Sequence, residues 1–370
     1  MKDPLYMQRC LELALLGLGK VSPNPMVGAV LVYRDEIMGE GWHQKYGEAH
    51  AEVNAINDAL KNLNRKYPDF STENSHAYLK ESTLYVSLEP CSHYGKTPPC
   101  TELILKHKIP VVVIGSLDSN PLVSGKGVKI LREQGVLVET GILEKESRFL
   151  NRRFFTYFEQ KRPYIILKWA ENQYNIMAPV PYEPYWISSP LSQRLNHRWR
   201  TEEDAILIGT NTVKLDNPLL TSRHWSGKNP KRVILDWNLE IPLGYHIYNK
   251  DSETYIMNGL KQFHQENIHY LQIEHKEYFI QSILFQLYLN NIQSVLVEGG
   301  YQTLYSFIAL GIWDEARIIH SEGTGLKYNQ EKIVQGLVAP VLPKTSYLFS
   351  KTPLKQDTIL NFLQVNPENI

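Results

Sequence analysis

Apolar residues recur at helical spacing at Met7, Leu11, Ala14, Leu15 and Leu18, which predicts an amphipathic first helix ending near Gly19. Ser22-Pro23-Asn24-Pro25 reads as a rigid turn feeding a strand over 28–33, with 37–42 as its hairpin partner. Val53, Ala55, Ile56, Ala59 and Leu60 form the stripe of a second helix starting near His50. Residues 61–82 are polar and read as a surface insertion. Strands follow at 83–88, 111–115 and 136–140, with helices at 101–108 and 127–134 between them. Alternation of this kind predicts an α/β layer with a largely parallel sheet.

A charged, aromatic stretch over 143–160 reads as a linking helix, which Pro163 ends. A second series of strands is expected at 164–169, 204–209, 232–236, 254–257, 268–273, 294–298 and 315–320. Helices are expected between them at 191–200, 279–290 and 303–310, giving a second α/β domain. The tail after Gln356 is polar and carries no predicted element. The domains are placed at 1–145 and 146–370.

Composition adds bounds to this outline. A chain of 370 residues is long for one domain and natural for two. Basic and acidic residues balance at 39 each, so no global field draws nucleic acid or an anionic membrane. The expected partners are small molecules. The three cysteines suggest no disulfide framework, which favours a reducing cytoplasm. Cys10 lies in the apolar pattern of the first helix and reads as a small buried hydrophobe. The N-terminus lacks the layout of a signal peptide, and no apolar run reaches membrane-spanning length.

Chemistry in the first half gathers at His50, Glu52, Cys91 and Cys100. One histidine and two cysteines are suitable zinc ligands, and three protein ligands leave the fourth tetrahedral position to water. Zinc lowers the pKa of such a water towards neutrality. Nucleobase zinc deaminases use this set, with a glutamate that moves protons and does not bind the metal. Residues two apart in mid-helix point to nearly opposite sides, so His50 and Glu52 share a site only in a first turn. Cys100 opens a helix, where the unpaired N–H groups favour a thiolate. His50-Ala51-Glu52 alone arises by chance, and a free cysteine is usually core. The ordered combination is specific. His93 is read as lining the substrate loop or packing, because a fourth protein ligand would close the site.

In the second half, Glu298-Gly299-Gly300 ends a buried strand and opens a helix, an arrangement that admits a phosphate but is more often a plain turn. Arg200 and Arg223 are candidates for gripping a phosphate through paired hydrogen bonds, at even odds with a surface role.

Eight residues, 92–99, separate Cys91 from Cys100, where many zinc deaminases have two. The stretch 89–100 resembles the pyrimidine deaminases of riboflavin biosynthesis that are fused to a reductase. Ser22 to Gly28, Gly47 to Glu52 and Asp118 to Gly127 carry the same resemblance, in order, over about a hundred residues. It implies a cytidine-deaminase-like α/β/α domain with His50, Cys91 and Cys100 on zinc and Glu52 shuttling protons. Asn24, Lys96 and Lys126 are then candidate contacts to the substrate base or phosphate.

Lys168-Trp169-Ala170, Trp186-Ile187-Ser188, the stretch 200–209, Thr212, Asp216-Asn217-Pro218, Arg223 and Glu298-Gly299-Gly300 resemble the reductase half of those enzymes. That half is similar to dihydrofolate reductase in fold and uses NADPH. The resemblance implies Glu171, Trp186, Thr212, Asp216 and Gly300 at the cofactor, and Arg200, Leu220, Arg223 and Glu298 at the phosphoribosyl-pyrimidine. Two departures stand out. Asn172-Gln173-Tyr174-Asn175 replaces a Ser-Leu-Asp-Gly turn, and Pro184 replaces a serine found in some relatives. The expectation is a bifunctional riboflavin-pathway enzyme with zinc and NADPH, in a homo-oligomer. The alternatives are a deaminase with a degenerate, non-catalytic second domain, and a nucleoside or base deaminase.

Overall fold

A computed structural model describes residues 3–66, 77–94, 98–121, 123–180, 186–322 and 336–365. The chain divides into two compact units, Met1–Gln160 and Lys161–Ile370.

Unit 1 opens with α1 (Pro4–Leu15), whose first turn is capped by Asp3 accepting from the Leu5 N–H at 2.9 Å. The hairpin β1 (Gly28–Tyr33) and β2 (Glu36–Trp42) follows, then α2 (Ala51–Lys66). Glycines on β2 let α2 lie close. A methyl at Gly39 or Gly41 would come within 2.3 Å of the helix backbone at Ala55. The helix runs on to Lys66, past the end expected for it, and residues 67–76 lie outside the described residues. Next come β3 (Thr83–Leu88), α3 (Cys100–Lys106), β4 (Val111–Ser116), α4 (Lys126–Glu133) and β5 (Leu137–Thr140). The sheet order is β2-β1-β3-β4-β5. It is mixed, not largely parallel: β1 runs antiparallel to both neighbours, and only β3, β4 and β5 are parallel. A tight hairpin at 34–35 forces the first pairing, because two residues cannot make a parallel crossover.

Two further helices, α5 (Glu144–Leu150) and α6 (Arg152–Gln160), complete unit 1. Phe154 and Phe155 pack with Leu88, and the Asn151 side chain both donates to and accepts from the Met26 backbone at 2.8 Å. Residues 146–160 thus bury their apolar face in unit 1, and the contact division falls after Gln160 instead of at 145.

Unit 2 is built on β6 (Tyr164–Asn172), β7 (Ile176–Pro179), α7 (Pro190–Glu202), β8 (Ala205–Gly209), α8 (Thr210–Asp216), β9 (Lys231–Leu235), β10 (Thr254–Asn258), β11 (Phe263–Gln265), β12 (Ile268–Gln272), α9 (Phe279–Leu289), β13 (Ser294–Val297), α10 (Tyr301–Ala309), β14 (Glu315–Ser321), β15 (Gly336–Val338), β16 (Tyr347–Leu354) and β17 (Asp357–Leu363). Ten of these strands form one sheet in the order β11-β12-β10-β9-β8-β13-β6-β14-β17-β16. The stretch from β12 to β14 is parallel, and β17 returns antiparallel to β14. Parallel strands buried on both faces need apolar side chains in succession, as in Ile165-Ile166-Leu167 and Val295-Leu296-Val297. One face packs on α9 and α10, the other on α7 and on the loops after β9. The tail after Gln356, read as featureless, is β17, with Ile359 and Leu363 buried. Its polar Asp357, Thr358 and Asn361 masked an alternating pattern.

Candidate active sites

β3 ends at Leu88, so Glu89-Pro90-Cys91 emerges at a strand end beside the parallel neighbour β4. His50 stands immediately before α2, and Glu52 lies in its first turn. Cys100 is the first residue of α3, behind two prolines that give up no helical hydrogen bond there. Nδ1 of His50 lies 3.5 Å from Cys91 Sγ and 3.4 Å from Cys100 Sγ. Among the described residues, His50, Cys91 and Cys100 form the one cluster of three metal-ligating groups, their donor atoms within 4.8 Å of one another. Tetrahedral zinc bonds of about 2.0–2.3 Å place neighbouring donors roughly 3.5 Å apart. The donor set fits zinc in type, number and spacing. His93 is exposed and outside the cluster.

The cluster is electrically polarised. A hydrogen bond with Cys100 and another with His50 lower the Cys91 thiol to about 4, while the neighbouring sulfur pushes Cys100 up. The backbone N–H of Cys100 also donates to Cys91 Sγ at 3.3 Å. Glu52 is 3% exposed, and burial raises its carboxyl above the ordinary range, with the Cys91 charge adding to the effect. A raised carboxyl accepts a proton more readily than an ordinary one, which suits general acid–base work.

Two neighbours of the cluster carry no assignment from the sequence. His43 is buried, its ring 5.4 Å from that of His50, with Nδ1 3.1 Å from the Ala49 carbonyl and Nε2 3.1 Å from Asn24 Nδ2. Asn24 is thereby tied to the zinc-ligand loop. Glu89, also buried, accepts from four backbone N–H groups between Asp118 and Val128. Both are polar side chains that the fold buries and gives hydrogen-bond partners. Lys126 begins α4 with its Nζ donating to the Pro121 carbonyl at 3.1 Å. Lys96 lies outside the described residues.

In unit 2 the structure brings Arg200 and Glu298 together. Nε and Nη2 of Arg200, on α7, donate to both oxygens of Glu298, at the end of β13, at 2.8 and 3.0 Å. Asn196 adds a third donor at 3.1 Å, and Lys168 Nζ lies 3.6 Å away. Glu298 stays ionised well below the usual carboxylate range, since the cations outweigh the cost of burial. Lys168 is shifted down, chiefly by burial. A lysine inside the apolar strand text Ile165-Ile166-Leu167-Lys168-Trp169 is the signal that the sequence reading quoted without giving it a role. Arg223 is exposed and lies near enough to Arg200 for repulsion to lower its guanidinium, after desolvation. His197 is pushed down to about 4 by burial and by Arg200, Arg223 and His224. This concentration of positive charge suits an anion.

The other expected residues fall in several places. Thr212 Oγ1 accepts from the Gly300 N–H at 3.1 Å, so these two meet at the start of α10. No side chain caps that helix, which leaves first-turn N–H groups able to take a phosphate of NADPH. Asp216 ends α8, and Leu220 is 3% exposed within the core on that face. Leu220 can offer a ligand its backbone, which has φ +56°. Trp186 is 62% exposed. The Glu171 carboxylate is engaged by Trp169 Nε1 at 2.8 Å and by His320 Nδ1 at 3.2 Å. Pro184 is outside the described residues.

The altered turn at 172–175 is intact as a turn. Asn172 Oδ1 accepts from the N–H groups of Tyr174 and Ile176 at 2.9 and 3.0 Å. Asn175 takes φ +58°, a left-handed position that asparagine enters more readily than most residues with a side chain.

Residues 1–116 match the cytidine and deoxycytidylate deaminase zinc-binding region, and residues 163–321 match the RibD C-terminal domain. A riboflavin biosynthesis protein RibD from Aquifex aeolicus is 40% identical over 319 residues, covering 84% of this chain and 85% of its own. The RibD of Bacillus amyloliquefaciens is 39% identical, covering 85% and 82%. The crystal structure of a diaminohydroxyphosphoribosylaminopyrimidine deaminase/5-amino-6-(5-phosphoribosylamino)uracil reductase from Thermotoga maritima aligns with a TM-score of 0.80 at 34% identity, over 97% of this chain and 98% of that one. The fold is an N-terminal cytidine-deaminase-like α/β/α domain followed by a dihydrofolate-reductase-like α/β domain.

Proposed function

The chain belongs to the RibD family of riboflavin biosynthesis proteins, and we infer from that premise which of its residues perform each step. It is a bifunctional enzyme, a zinc-dependent deaminase followed by an NADPH-dependent reductase. Its substrates are small phosphoribosylaminopyrimidines. We assign deamination to the N-terminal domain (1–145) and reduction to the C-terminal domain (146–370), with residues 146–160 packed as part of the first unit.

In the first step the 2-amino group of 2,5-diamino-6-(5-phosphoribosylamino)pyrimidin-4(3H)-one is replaced by oxygen. His50, Cys91 and Cys100 would hold the zinc, which would supply an acidified water as the nucleophile. Glu52 takes the proton of the attacking water and passes it to the ring nitrogen. It then takes the proton of the added hydroxyl and delivers it to the amine, so that the C=O bond forms as the C–N bond breaks and ammonia leaves. Burial of Glu52 suits this cycle, since its charged and neutral forms are closer in energy there than in water. Asn24 and Lys126 hold the substrate.

In the second step C1′ of the opened ribose is reduced to give the ribityl chain, and NADPH bound in the second domain would supply the hydride. Glu171, Trp186, Thr212, Asp216 and Gly300 contact the cofactor. Arg200, Leu220, Arg223 and Glu298 hold the phosphoribosyl-pyrimidine. The Arg200–Glu298 pair spends the bidentate face of Arg200 inside the protein, which leaves Arg223 as the freer cation for phosphate.

A homo-oligomer is favoured by the exposed Tyr347, Leu348 and Phe349 on β16, the end strand of the ten-stranded sheet. Balanced charge favours small-molecule partners over nucleic acid. No described helix is long and apolar enough to cross a membrane, and a cytoplasmic location agrees with free thiols at the zinc site. The observation that carries the reading is the convergence of His50, Cys91 and Cys100 beside buried Glu52. The test is zinc content together with ammonia release and NADPH oxidation on the two intermediates. Folded, zinc-loaded protein that oxidises no NADPH with the deaminated intermediate overturns the bifunctional assignment of residues.

A further inference from the structure

We propose that Glu89 is a positioning residue for the deaminase step, its carboxylate setting where Lys126 stands relative to the zinc ligand Cys91. This rests on the deaminase reading above.

Helix α4 begins without a cap of its own. Its N-cap is Gly125, at φ +73°, which has no side chain to offer the first-turn N–H groups. The acceptor comes from another element. Glu89 is 4% exposed, and its Oε1 accepts from Gly127 and Val128 at 3.0 and 3.2 Å. Its Oε2 accepts from Gly125 and Asp118 at 2.9 and 3.3 Å. The residues on both sides of Lys126 are therefore fastened to one carboxylate, and that carboxylate is two residues from Cys91.

Close approach reinforces the link. A methyl at Gly127 would stand 2.2 Å from the Pro90 carbonyl oxygen, so the helix start lies directly against the backbone that carries Cys91. The Glu89 N–H continues the strand ladder to the Ser116 carbonyl at 3.0 Å, which fixes the base from which the side chain reaches. Charge-assisted bonds to four N–H groups make this a stiff coupling. A substrate held by Lys126 is thus held at a set distance from the metal ligands.

A helix cap with no further role would alter stability alone. Positioning alters KM. Glu89→Gln keeps the length of the side chain but replaces one oxygen with an amide nitrogen. Whichever way the amide turns, two backbone N–H groups then face a donor. In the full-length, zinc-loaded enzyme, Glu89→Gln is expected to raise KM for the deaminase substrate at least tenfold. Zinc stoichiometry and NADPH oxidation on the deaminated intermediate stay as in the wild type. Lys126→Ala raises the same KM, and the double variant is little worse than the poorer single, because one acts through the other. A KM within twofold of wild type in zinc-loaded Glu89→Gln overturns the proposal, as do effects that multiply in the double variant.

Should Glu89→Gln fail to fold, Gly125→Ala supplies the second route. Its methyl meets nothing within 4 Å, yet a left-handed backbone strains any residue with a side chain. It shifts the segment before Lys126 while leaving the carboxylate in place, and KM rises severalfold; an unchanged KM overturns the proposal. Wild-type protein that binds zinc and releases no ammonia sinks the deaminase reading itself, whereas an active wild type with an unaltered Glu89→Gln KM sinks only this inference.

Discussion

Glu52 is buried in one unit, the Glu298 side chain is 9% exposed in the other, and the two are driven in opposite directions. Burial and the Cys91 charge push Glu52 up; Arg200 and Lys168 overcome burial and hold Glu298 down. Desolvation is common to both, so the partners decide the outcome. A glutamate that faces an anionic sulfur is poised to exchange a proton. A glutamate clasped by a guanidinium, an ammonium and an amide is a fixed anion that organises its neighbours. The same side chain is driven towards its neutral form in one unit and held as an anion in the other.

The largest test of this contrast is Glu52→Gln. It removes the proton carrier and leaves His50, Cys91 and Cys100 in place, so zinc content stays at one per chain. Ammonia release is expected to fall about 10²–10⁴-fold, the usual worth of general acid–base catalysis. NADPH oxidation on the deaminated intermediate is unaffected. Zinc lost together with activity would show that Glu52 holds the metal site and is not its proton carrier.

Glu298→Gln tests the other side. It leaves Arg200 and Lys168 without their counter-charge, and breaking a pair this buried costs about 3–5 kcal/mol. The expected result is a lowered Tm for the second unit and loss of NADPH oxidation, with ammonia release kept. The pH dependence follows from the sign of the shift. The folded pKa is depressed, so the stability that Glu298 contributes is present above its unfolded value of about 4.3 and disappears as pH falls through the lower folded value. The Tm gap between wild type and variant should therefore be constant from pH 8 to 5 and close only below about pH 4. A gap that closes above pH 5 would mean that Glu298 is not held below the usual carboxylate range.

The two sites differed as much in how they could be read. The zinc ligands lie next to recognisable starts and stops: His50 before an apolar stripe, Cys91 after a strand, Cys100 after two prolines. Such local signals survive in one dimension. The second site is assembled across the sheet, from β6, α7 and β13, and its main contact joins residues 200 and 298. Sequence resemblance placed both arginine and glutamate at the substrate, but only the structure shows them bonded to each other. Lys168 was hidden for the same reason, since its partner is distant in the chain. β17 was missed because antiparallel pairing with β14 makes sense of Ile359 and Leu363 only after folding. The first sheet was expected to be largely parallel because alternating elements say nothing about a leading hairpin.

Arg223→Ala asks whether the framework and the ligand-binding charge in unit 2 are separate. Arg223 is exposed and is expected to meet substrate directly, while Arg200 is committed to Glu298. Removing Arg223 should raise the KM for the deaminated intermediate about tenfold, the worth of roughly one charge-assisted contact. Tm and ammonia release should not move. A fall in Tm comparable to that of Glu298→Gln would place Arg223 in the framework instead.

The smallest expected effect concerns the turn at 172–175, where the resemblance implies an acidic residue and a glycine and this chain has Asn172-Gln173-Tyr174-Asn175. The Asn175 N–H donates to the Asn172 carbonyl, the Asn172 side chain accepts two further N–H groups, and Asn175 occupies a left-handed position that asparagine tolerates better than most residues. Asn175→Gly should be neutral or stabilise by up to about 1 kcal/mol, because glycine enters φ +58° without strain. Asn172→Ala should cost about 1–2 kcal/mol, since two N–H groups beside the end of β6 lose their acceptor. Both variants should keep ammonia release, which belongs to the other unit. If Asn172→Ala also raises the KM for NADPH, the turn places the cofactor as well as closing the hairpin. An unchanged KM with a lowered Tm confines the altered sequence to folding, and leaves the Arg200–Glu298–Lys168 cluster as the determinant of the second site.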